Sequence, residues 1–282
     1  MHRPIIPQET TTLLDKAKMV RREVLRLTEI CGSGHYGSAF SIAELLVVLY
    51  YRLLHTRPHE PQWADRDRFT MGKGHAAIGL YPILADLGFF PQSDLDSYTR
   101  LGSPLGDHPD MRKVKGVDFS SGSIGHNLSV SVGMAAALRV RQSAARVVCM
   151  MGDGEQAEGQ IWEAAASASH WKLNNLVGIV DINAAGSDGF VRDVMNNEPL
   201  AEKWAAFGWD VITLADGHDL DQTFDALDCA LNEPREKPCV VLATTVAGKG
   251  VSFMEGTWHW HLGYLGPADL ARAYAEVEEG SA

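Results

Sequence analysis

Apolar residues recur at helical spacing through the first half of the chain. Within residues 11–30 they share one face, which predicts an amphipathic helix. The members of this face are Leu13, Leu14, Ala17, Val20, Val24 and Leu25. Further helical patterns cover residues 41–53, 75–87 and 127–139, and the last of them is rich in small residues. The first half is therefore predicted to be mainly helical.

The second half alternates short apolar runs with helical patterns. Gly, Asp, Asn or Pro residues bound the runs, which lie at residues 146–151, 176–182, 209–214 and 239–245. Runs that are apolar throughout are typical of parallel strands buried on both faces. The helical patterns between them cover residues 155–171, 200–207 and 220–231. This order predicts an α/β fold with a doubly wound, mainly parallel sheet, helices on both faces, and a ligand beyond the carboxyl ends of the strands.

The composition fits one domain with a sizeable core, since 45% of the 282 residues are hydrophobic. No repeat or linker divides the chain, so we expect an N-terminal extension at residues 1–10 and a single domain at residues 11–282. A formal charge of −11 argues against binding nucleic acid or an anionic membrane. The chain has no CxxC pair, no apolar signal segment and no membrane-length apolar run, so a cytoplasmic location is expected.

Polar groups that suit a metal and a phosphate follow two consecutive predicted strands. Gly152 and Gly154 flank Asp153 after the first strand, where glycine lets a ligand approach the backbone. A helix that starts there would offer N–H donors to phosphate oxygens, and Asp153 offers the carboxylate that Mg²⁺ prefers. After the next strand, Asn183 can offer an amide oxygen and a following residue a backbone carbonyl. An isolated Gly-Asp-Gly is usually only a turn, so the interpretation depends on the surrounding sequence.

The surrounding sequence, GDGEQAEGQIWEAAASASHWKLNNLVGIVDINAAGSDG, resembles the thiamine diphosphate motif of transketolases. The resemblance implies that Asp153, Asn183 and the backbone carbonyl of Ala185 bind Mg²⁺, or Ca²⁺ or Mn²⁺ in its place. It implies that the N–H of Gly154 binds the cofactor diphosphate. It also implies that the Glu155 carboxylate lies at a subunit interface, near the cofactor-activating residue of a partner.

Histidine motifs of the same family recur in order along the chain. His35, in GSGHYGSAFSIAELL, and His108, in GDHPD, match histidines that contact the substrate. His75, in DRDRFTMGKGHAAIGLY, matches a histidine beside the diphosphate, and so does His259, in GKGVSFMEGTWHWH, with His261 as the other candidate. Imidazole side chains can transfer protons near neutral pH, at sugar hydroxyls and at developing oxyanions. We therefore treat His35, His75, His108 and His259 as candidate catalytic residues.

Other segments extend the resemblance or depart from it. DFSSGSIGHNLSVSVGMAAA matches the loop whose backbone, around Gly122 and Ile124, approaches the aminopyrimidine of the cofactor. Tyr36 replaces the usual proline, and His126 stands where glutamine is common, and we expect both to border the substrate or cofactor. His218 resembles a family residue too, although it could simply cap the next helix.

The resemblance covers nearly all of this chain but only the first of the three regions of a full transketolase. It implies a partner, a C-terminal transketolase-like subunit that carries the pyrimidine-binding domain, in an assembly such as α2β2. The implied reaction transfers a two-carbon ketol unit from a ketose donor to an aldehyde acceptor, with the carbanion chemistry supplied by thiamine diphosphate.

Three alternatives stay open on the sequence. The α subunit of a 2-oxoacid dehydrogenase would share Gly-Asp-Gly and a later Asn, but the ordered histidine motifs favour a transketolase. An acyloin-forming ligase built on the transketolase scaffold stays open as well. A non-catalytic homologue is disfavoured because the metal and histidine positions are intact. A generic nucleotide-binding module is weakest, because the chain has no GxGxxG after a strand and no Walker lysine motif.

Overall fold

Ten α-helices fall within residues 7–280, the part of the chain that the computed structural model describes. They are α1 (Pro7–Cys31), α2 (Tyr36–Ser41), α3 (Ala43–Val48), α4 (Ala77–Leu87), α5 (His126–Val140), α6 (Gly159–His170), α7 (Val191–Val194), α8 (Leu200–Ala206), α9 (Leu220–Asn232) and α10 (Pro267–Glu279). Helix α1 begins four residues before the predicted start. Part of the predicted extension at residues 1–10 is therefore helical, and residues 1–6 of it lie outside the described residues.

Within the described residues, five parallel strands form one sheet. They are β1 (Arg68–Met71), β2 (Val147–Gly152), β3 (Leu176–Ile182), β4 (Asp210–Leu214) and β5 (Cys239–Thr244), and their order is β1-β2-β3-β5-β4. The apolar pattern predicts the last four of these strands but not β1, which has only four residues and opens with a charged arginine. The predicted parallel α/β fold is confirmed.

Both faces of the sheet are covered by helices. Along β2, Val148 and Met150 point into one core with helices α1, α3, α4 and α9, while Val147, Cys149 and Met151 point into a second core with α5, α6 and α8. Because successive side chains of a strand point to opposite faces, a strand apolar throughout serves both cores. The predicted doubly covered sheet is thus confirmed by the packing.

Two predicted helices are shorter or more broken than the sequence indicates. The predicted helix at residues 41–53 is α3 followed by a π-helical turn, Leu49–Leu53, and Ile42 separates it from α2. The predicted helix at 155–171 begins only at Gly159, because a 3₁₀ turn, Gly154–Ala157, comes first. Glu158 then adopts an extended conformation (φ −73°, ψ 122°), so β2 does not run straight into an α-helix.

No helix within residues 7–280 combines the length and apolar character needed to cross a bilayer.

Candidate functional site

The carboxyl ends of the parallel strands bring polar residues together at one edge of the sheet. Lys73 follows β1, Asp153 follows β2, Asn183 follows β3 and Thr245 follows β5. All four residues are at least nine-tenths buried. Main-chain bonds continue beyond the strands and hold these ends in register, for example from Asp153 N–H to the carbonyl of Asp181 at 3.1 Å.

The Asp153 carboxylate is buried and held by two backbone donors. Its Oδ1 accepts the N–H of Gly154 at 2.8 Å, and its Oδ2 accepts the N–H of Ala184 at 2.8 Å. Burial, with a further contribution from the nearby Asp181 carboxylate, raises the pKa of Asp153 to about 6. The Gly154 N–H that the sequence assigns to a diphosphate thus donates to Asp153 in this structure. A diphosphate would have to share or replace that bond.

The side-chain amide of Asn183 is held at both its oxygen and its nitrogen. Its Oδ1 accepts the N–H of Ala185 at 3.0 Å, while its Nδ2 donates to Asp181 Oδ2 at 2.8 Å. Asn183 and Ala185 line the same cavity as Asp153, and Gly152, Gly154 and Glu155 line it too. The structure therefore gathers the three predicted metal ligands on one wall of a single cavity.

Glu155 lines this cavity and connects the loop before α5 to the end of β2. Its Oε1 accepts the N–H of Gly125 at 2.7 Å, and its Oε2 accepts the N–H of Gly152 at 3.1 Å. A Cβ at Gly72 would lie 2.3 Å from Glu155 Oε1, so only glycine lets the carboxylate sit against the end of β1. Burial raises the pKa of Glu155 to about 7, even though both backbone bonds favour the charged form.

Three histidine rings form a cluster at the cavity. The ring centroid of His75 lies 5.0 Å from those of both His35 and His261, and the His35 and His261 centroids are 5.7 Å apart. His75 Nε2 is 2.9 Å from the hydroxyl of Ser38. Burial, with the nearby charge of Lys73 as the next cause, lowers the pKa of His75 to about 2. Burial, followed by the effect of His35, lowers the pKa of His261 to about 4, so both rings are neutral at pH 7.

His108 lies at the outer side of this cluster. Its ring approaches Gly122, where an added Cβ would be 3.5 Å from His108 Cδ2. The carboxylate of Asp107 is 3.5 Å from His108 Nδ1 and 3.4 Å from His35 Nδ1. The structure thus brings two predicted substrate histidines to the same acidic side chain, next to the loop that carries Gly122 and Ile124.

His259 stands apart from the other histidines. Its ring stacks on Trp258 with centroids 4.0 Å apart, and its Nδ1 contacts the hydroxyl of Thr257 at 2.9 Å. His261, two residues later, takes the place beside His35 and His75 because a 3₁₀ turn, Trp258–Trp260, reverses the chain there. The structure therefore favours the second of the two histidines that the sequence leaves open.

Tyr36 does not border the cavity as the sequence leads us to expect. It is buried in the core, where its ring packs edge-on against Phe40 and Trp260. The other departure from the family, His126, is exposed at the first turn of α5.

His218 is a structural residue. Its Nε2 accepts the N–H of Val246 at 2.9 Å, and its Nδ1 lies 2.9 Å from Glu44 Oε2. The cap of α9 that the sequence could assign to His218 is made by Asp219 instead, whose side chain accepts the N–H groups of Asp221 and Gln222.

Lys73 and Asp181 are two charged residues of this edge that the sequence does not single out. Their side chains form a buried ion pair between the ends of β1 and β3. Both residues stand inside matched motifs, GKGH and DIN, and a charged side chain at the end of a buried strand is a signal that could have found them.

Comparison with known proteins identifies the class to which this fold and site belong. Two solved transketolases superpose on the chain with a TM-score of 0.88: that of Leishmania mexicana, at 28% identity, and that of Campylobacter jejuni, at 30%. The alignments cover 94% and 95% of this chain but only 41% and 43% of those proteins, so the chain spans about two fifths of their length.

The sequence model for the transketolase thiamine diphosphate binding domain matches residues 15–277. The chain therefore belongs to the transketolase family and corresponds to that domain. It is 38% identical to the 6-deoxy-6-sulfo-D-fructose transketolase subunit SqwG of a Clostridium species, covering 98% of this chain and 99% of that protein. It is also 36% identical to one of the subunits of the apulose-4-phosphate transketolase of Phocaeicola vulgatus, with 96% and 95% covered.

Proposed function

We propose that this chain is the diphosphate- and Mg²⁺-binding subunit of a two-component transketolase-like enzyme. In this enzyme a two-carbon ketol unit passes from a ketose donor to an aldehyde acceptor. One observation carries the proposal: Asp153 and Asn183 line one cleft at the carboxyl edge of the sheet together with His75 and His261, whose rings cluster with that of His35. Relatives of matching length are named as transketolase subunits.

The residues of the cavity fit a hard divalent cation. Asp153 offers a carboxylate, Asn183 an amide oxygen and Ala185 a backbone carbonyl, and oxygen donors of these kinds suit Mg²⁺ with diphosphate oxygens completing an octahedron. The raised pKa of Asp153 marks a buried negative charge that a cation would offset. Ca²⁺ or Mn²⁺ could take the same ligands. Within the described residues no three His, Cys, Asp or Glu side chains group to hold a metal, so the proposed set depends on one carboxylate.

Thiamine diphosphate, when bound, supplies the carbanion chemistry at the ketose carbonyl. The residues of this chain then bind and orient. Neutral His75 and His261 can each donate one hydrogen bond and accept another, and they are suited to hold a proton at an oxygen beside the diphosphate. His35 and His108, which both approach Asp107, would hold substrate hydroxyls. The backbone around Gly122 and Ile124 would approach the aminopyrimidine.

The proposed enzyme needs a partner. The pyrimidine-binding domain would come from a C-terminal transketolase-like subunit, since relatives that match this chain along nearly their whole length are named as transketolase subunits. Apolar side chains surround the mouth of the cavity, namely Ile124, Val194 and Met195, and each is more than one-third exposed. Such a rim fits a face that a second protein chain covers. An α2β2 assembly and a cytoplasmic location stay predictions from the sequence.

The names of the relatives leave the donor ketose open, since one is a transketolase of a sulfonated fructose and another of apulose 4-phosphate. A panel of ketoses that includes both compounds, together with 2-oxoacids, separates ketol transfer from decarboxylation. Activity with 2-oxoacids alone would contradict the proposal.

The binding test uses this chain co-purified with the product of the adjacent gene. We expect thiamine diphosphate to bind tightly with Mg²⁺ in the complex, and Asp153→Ala or Asn183→Ala to abolish that binding while circular dichroism shows an unchanged fold. Asp225→Ala, at an exposed position of α9, is the matched control and should bind as the wild type does. Wild-type affinity in the Asp153 or Asn183 variant would reject the metal assignment.

A further inference from the structure

Beneath the proposed metal ligands lies a buried ion pair for which the proposed reaction has no role. Lys73 and Asp181 are 2% and 0% exposed, and their charged groups are in direct contact. Replacing a buried ion pair with apolar residues of similar volume is often neutral or stabilising, so stability alone does not account for such a pair.

Every oxygen of Asp181 is committed to a donor of this chain. Its Oδ2 accepts the Lys73 ammonium, the Ser41 hydroxyl at 2.8 Å and the Asn183 amide at 2.8 Å. Its Oδ1 accepts the hydroxyl of Thr245. These donors come from four separate segments of the chain, so both carboxylate oxygens of Asp181 are already engaged within the protein.

This arrangement decides which way the Asn183 amide points. Its Nδ2 donates to Asp181 Oδ2 and, at 3.2 Å, to the hydroxyl of Ser41, while its Oδ1 accepts the N–H of Ala185 at 3.0 Å. A flipped amide would set its oxygen against the Asp181 carboxylate and its NH₂ group against the N–H of Ala185. Both contacts would be repulsive, so only one orientation satisfies the network.

We propose that Lys73 and Asp181 are positioning residues that keep the amide oxygen of Asn183 turned towards the metal. Asp181 accepts the amide NH₂ group, and Lys73 neutralises Asp181 and holds it away from the metal. The inference rests on the proposed function, because it assigns to Asn183 the role of a metal ligand. Residues that orient a metal ligand in this way commonly change metal affinity by about 10- to 100-fold when replaced.

Two double variants differ only at the acceptor. K73M/D181L removes both charges and the acceptor for Asn183, whereas K73M/D181N removes both charges and keeps an amide oxygen there. R146M/D67L is the matched control, because Asp67 and Arg146 form another buried pair at the opposite ends of the strands. N183A reports on the metal assignment itself. Thermal unfolding checks that each variant is folded.

The measurement is the Mg²⁺ concentration that supports thiamine diphosphate binding by the complex with the partner protein. We expect K73M/D181L to need about 10- to 100-fold more Mg²⁺, K73M/D181N to stay within about threefold of the wild type, and R146M/D67L to be unchanged. A crystal structure of K73M/D181L should show the Asn183 amide turned from its wild-type orientation.

An unchanged Mg²⁺ requirement in K73M/D181L, with N183A impaired, would overturn the inference alone. An unchanged requirement in N183A would reject the proposed function instead. If K73M/D181L does not fold, K73M/D181N still tests the inference. A Mg²⁺ requirement raised about tenfold or more in K73M/D181N would show that the charges of the ion pair, and not the oxygen that accepts from Asn183, set the Mg²⁺ affinity. That result would overturn the inference too.

Discussion

Each end of the parallel sheet carries a buried ion pair, and the two pairs lie in different surroundings. At the amino end, Asp67 precedes β1 and Arg146 precedes β2, and they pair at 2.7 Å. At the carboxyl end, Lys73 and Asp181 pair next to the candidate site. The amino-end pair joins the neighbouring strands β1 and β2, whereas the carboxyl-end pair reaches across β2 from the end of β1 to β3. The two pairs also differ in what surrounds them.

At the amino end, the donors and acceptors satisfy one another. Asp67 accepts the N–H groups of His55 and Arg146, each at 2.8 Å, as well as the guanidinium. Arg146 also donates to the carbonyl of Leu53 at 3.0 Å and to Asn232 Oδ1 at 2.5 Å. None of these residues lines the cavity that holds Asp153 and Asn183. The ion pair at the amino end is therefore interpreted as one that stabilises the fold.

At the carboxyl end, burial shifts the pKa values of several neighbouring groups away from their ordinary values. Burial raises the pKa values of Asp153 and Glu155, and it lowers those of His75 and His261. Clusters of groups displaced in both directions are characteristic of functional sites, where the cost in stability is retained for binding or proton transfer. The comparison teaches that the same kind of ion pair can close a fold at one end and support a site at the other.

The largest effect should come from breaking the amino-end pair. Arg146→Met leaves the Asp67 carboxylate buried without its cation, and removal of one partner of such a pair costs about 3–5 kcal/mol of unfolding free energy. Urea unfolding of the full chain measures it. A loss below about 1 kcal/mol would contradict the view that this pair closes the fold.

The next largest effect distinguishes His259 from His261, which lie between β5 and α10. In the complex with its partner, His261→Ala should lower kcat/KM by about 100-fold, because general acid–base groups typically contribute factors of that order or more. His259→Ala is the matched control and should stay within about twofold, since its ring stacks on Trp258 away from the cluster. Equal losses in the two variants would contradict the choice of His261 over His259.

The sequence predicts the fold and most of the candidate site because both depend on local patterns. Uniformly apolar strands indicate the parallel sheet, and the polar residues after β2 and β3 must meet because parallel strands end at one edge. The sequence cannot decide between His259 and His261, because that choice depends on the turn at Trp258–Trp260. It also misses Lys73 with Asp181, whose pairing spans 108 positions of the chain. The burial of Tyr36 depends likewise on packing with Phe40 and Trp260.

A third effect follows from the lowered pKa of His261, which is about 4 against an ordinary value of 6.5. Between these two values His261 binds a proton in the unfolded chain but not in the folded chain. The unfolding free energy is therefore lost as the pH falls from 6.5 towards 4. Between about pH 7 and pH 5, the wild type should lose about 1–2 kcal/mol more unfolding free energy than His261→Leu does. His35, Lys73 and Asp188 also act on this ring, and they are the same in both proteins. Parallel pH profiles of the two proteins would contradict the expectation.

The smallest effect is expected for Asp153→Asn, which should raise the unfolding free energy, whereas Arg146→Met should lower it. An acid whose pKa is raised from 3.8 to about 6 destabilises the folded chain above pH 3.8, and fully so above pH 6. Asp153→Asn keeps an oxygen for one backbone donor and removes the buried charge, so at about pH 7 the chain without metal should gain about 1 kcal/mol of unfolding free energy. The gain should vanish near about pH 4, where the wild-type carboxyl is protonated in the folded chain. If the Asp153→Asn variant is instead less stable than the wild type at neutral pH, Asp153 stabilises the fold, as the amino-end ion pair does. A variant that is more stable, yet has lost Mg²⁺-dependent cofactor binding, would show that the carboxyl end gives up stability for the ligand.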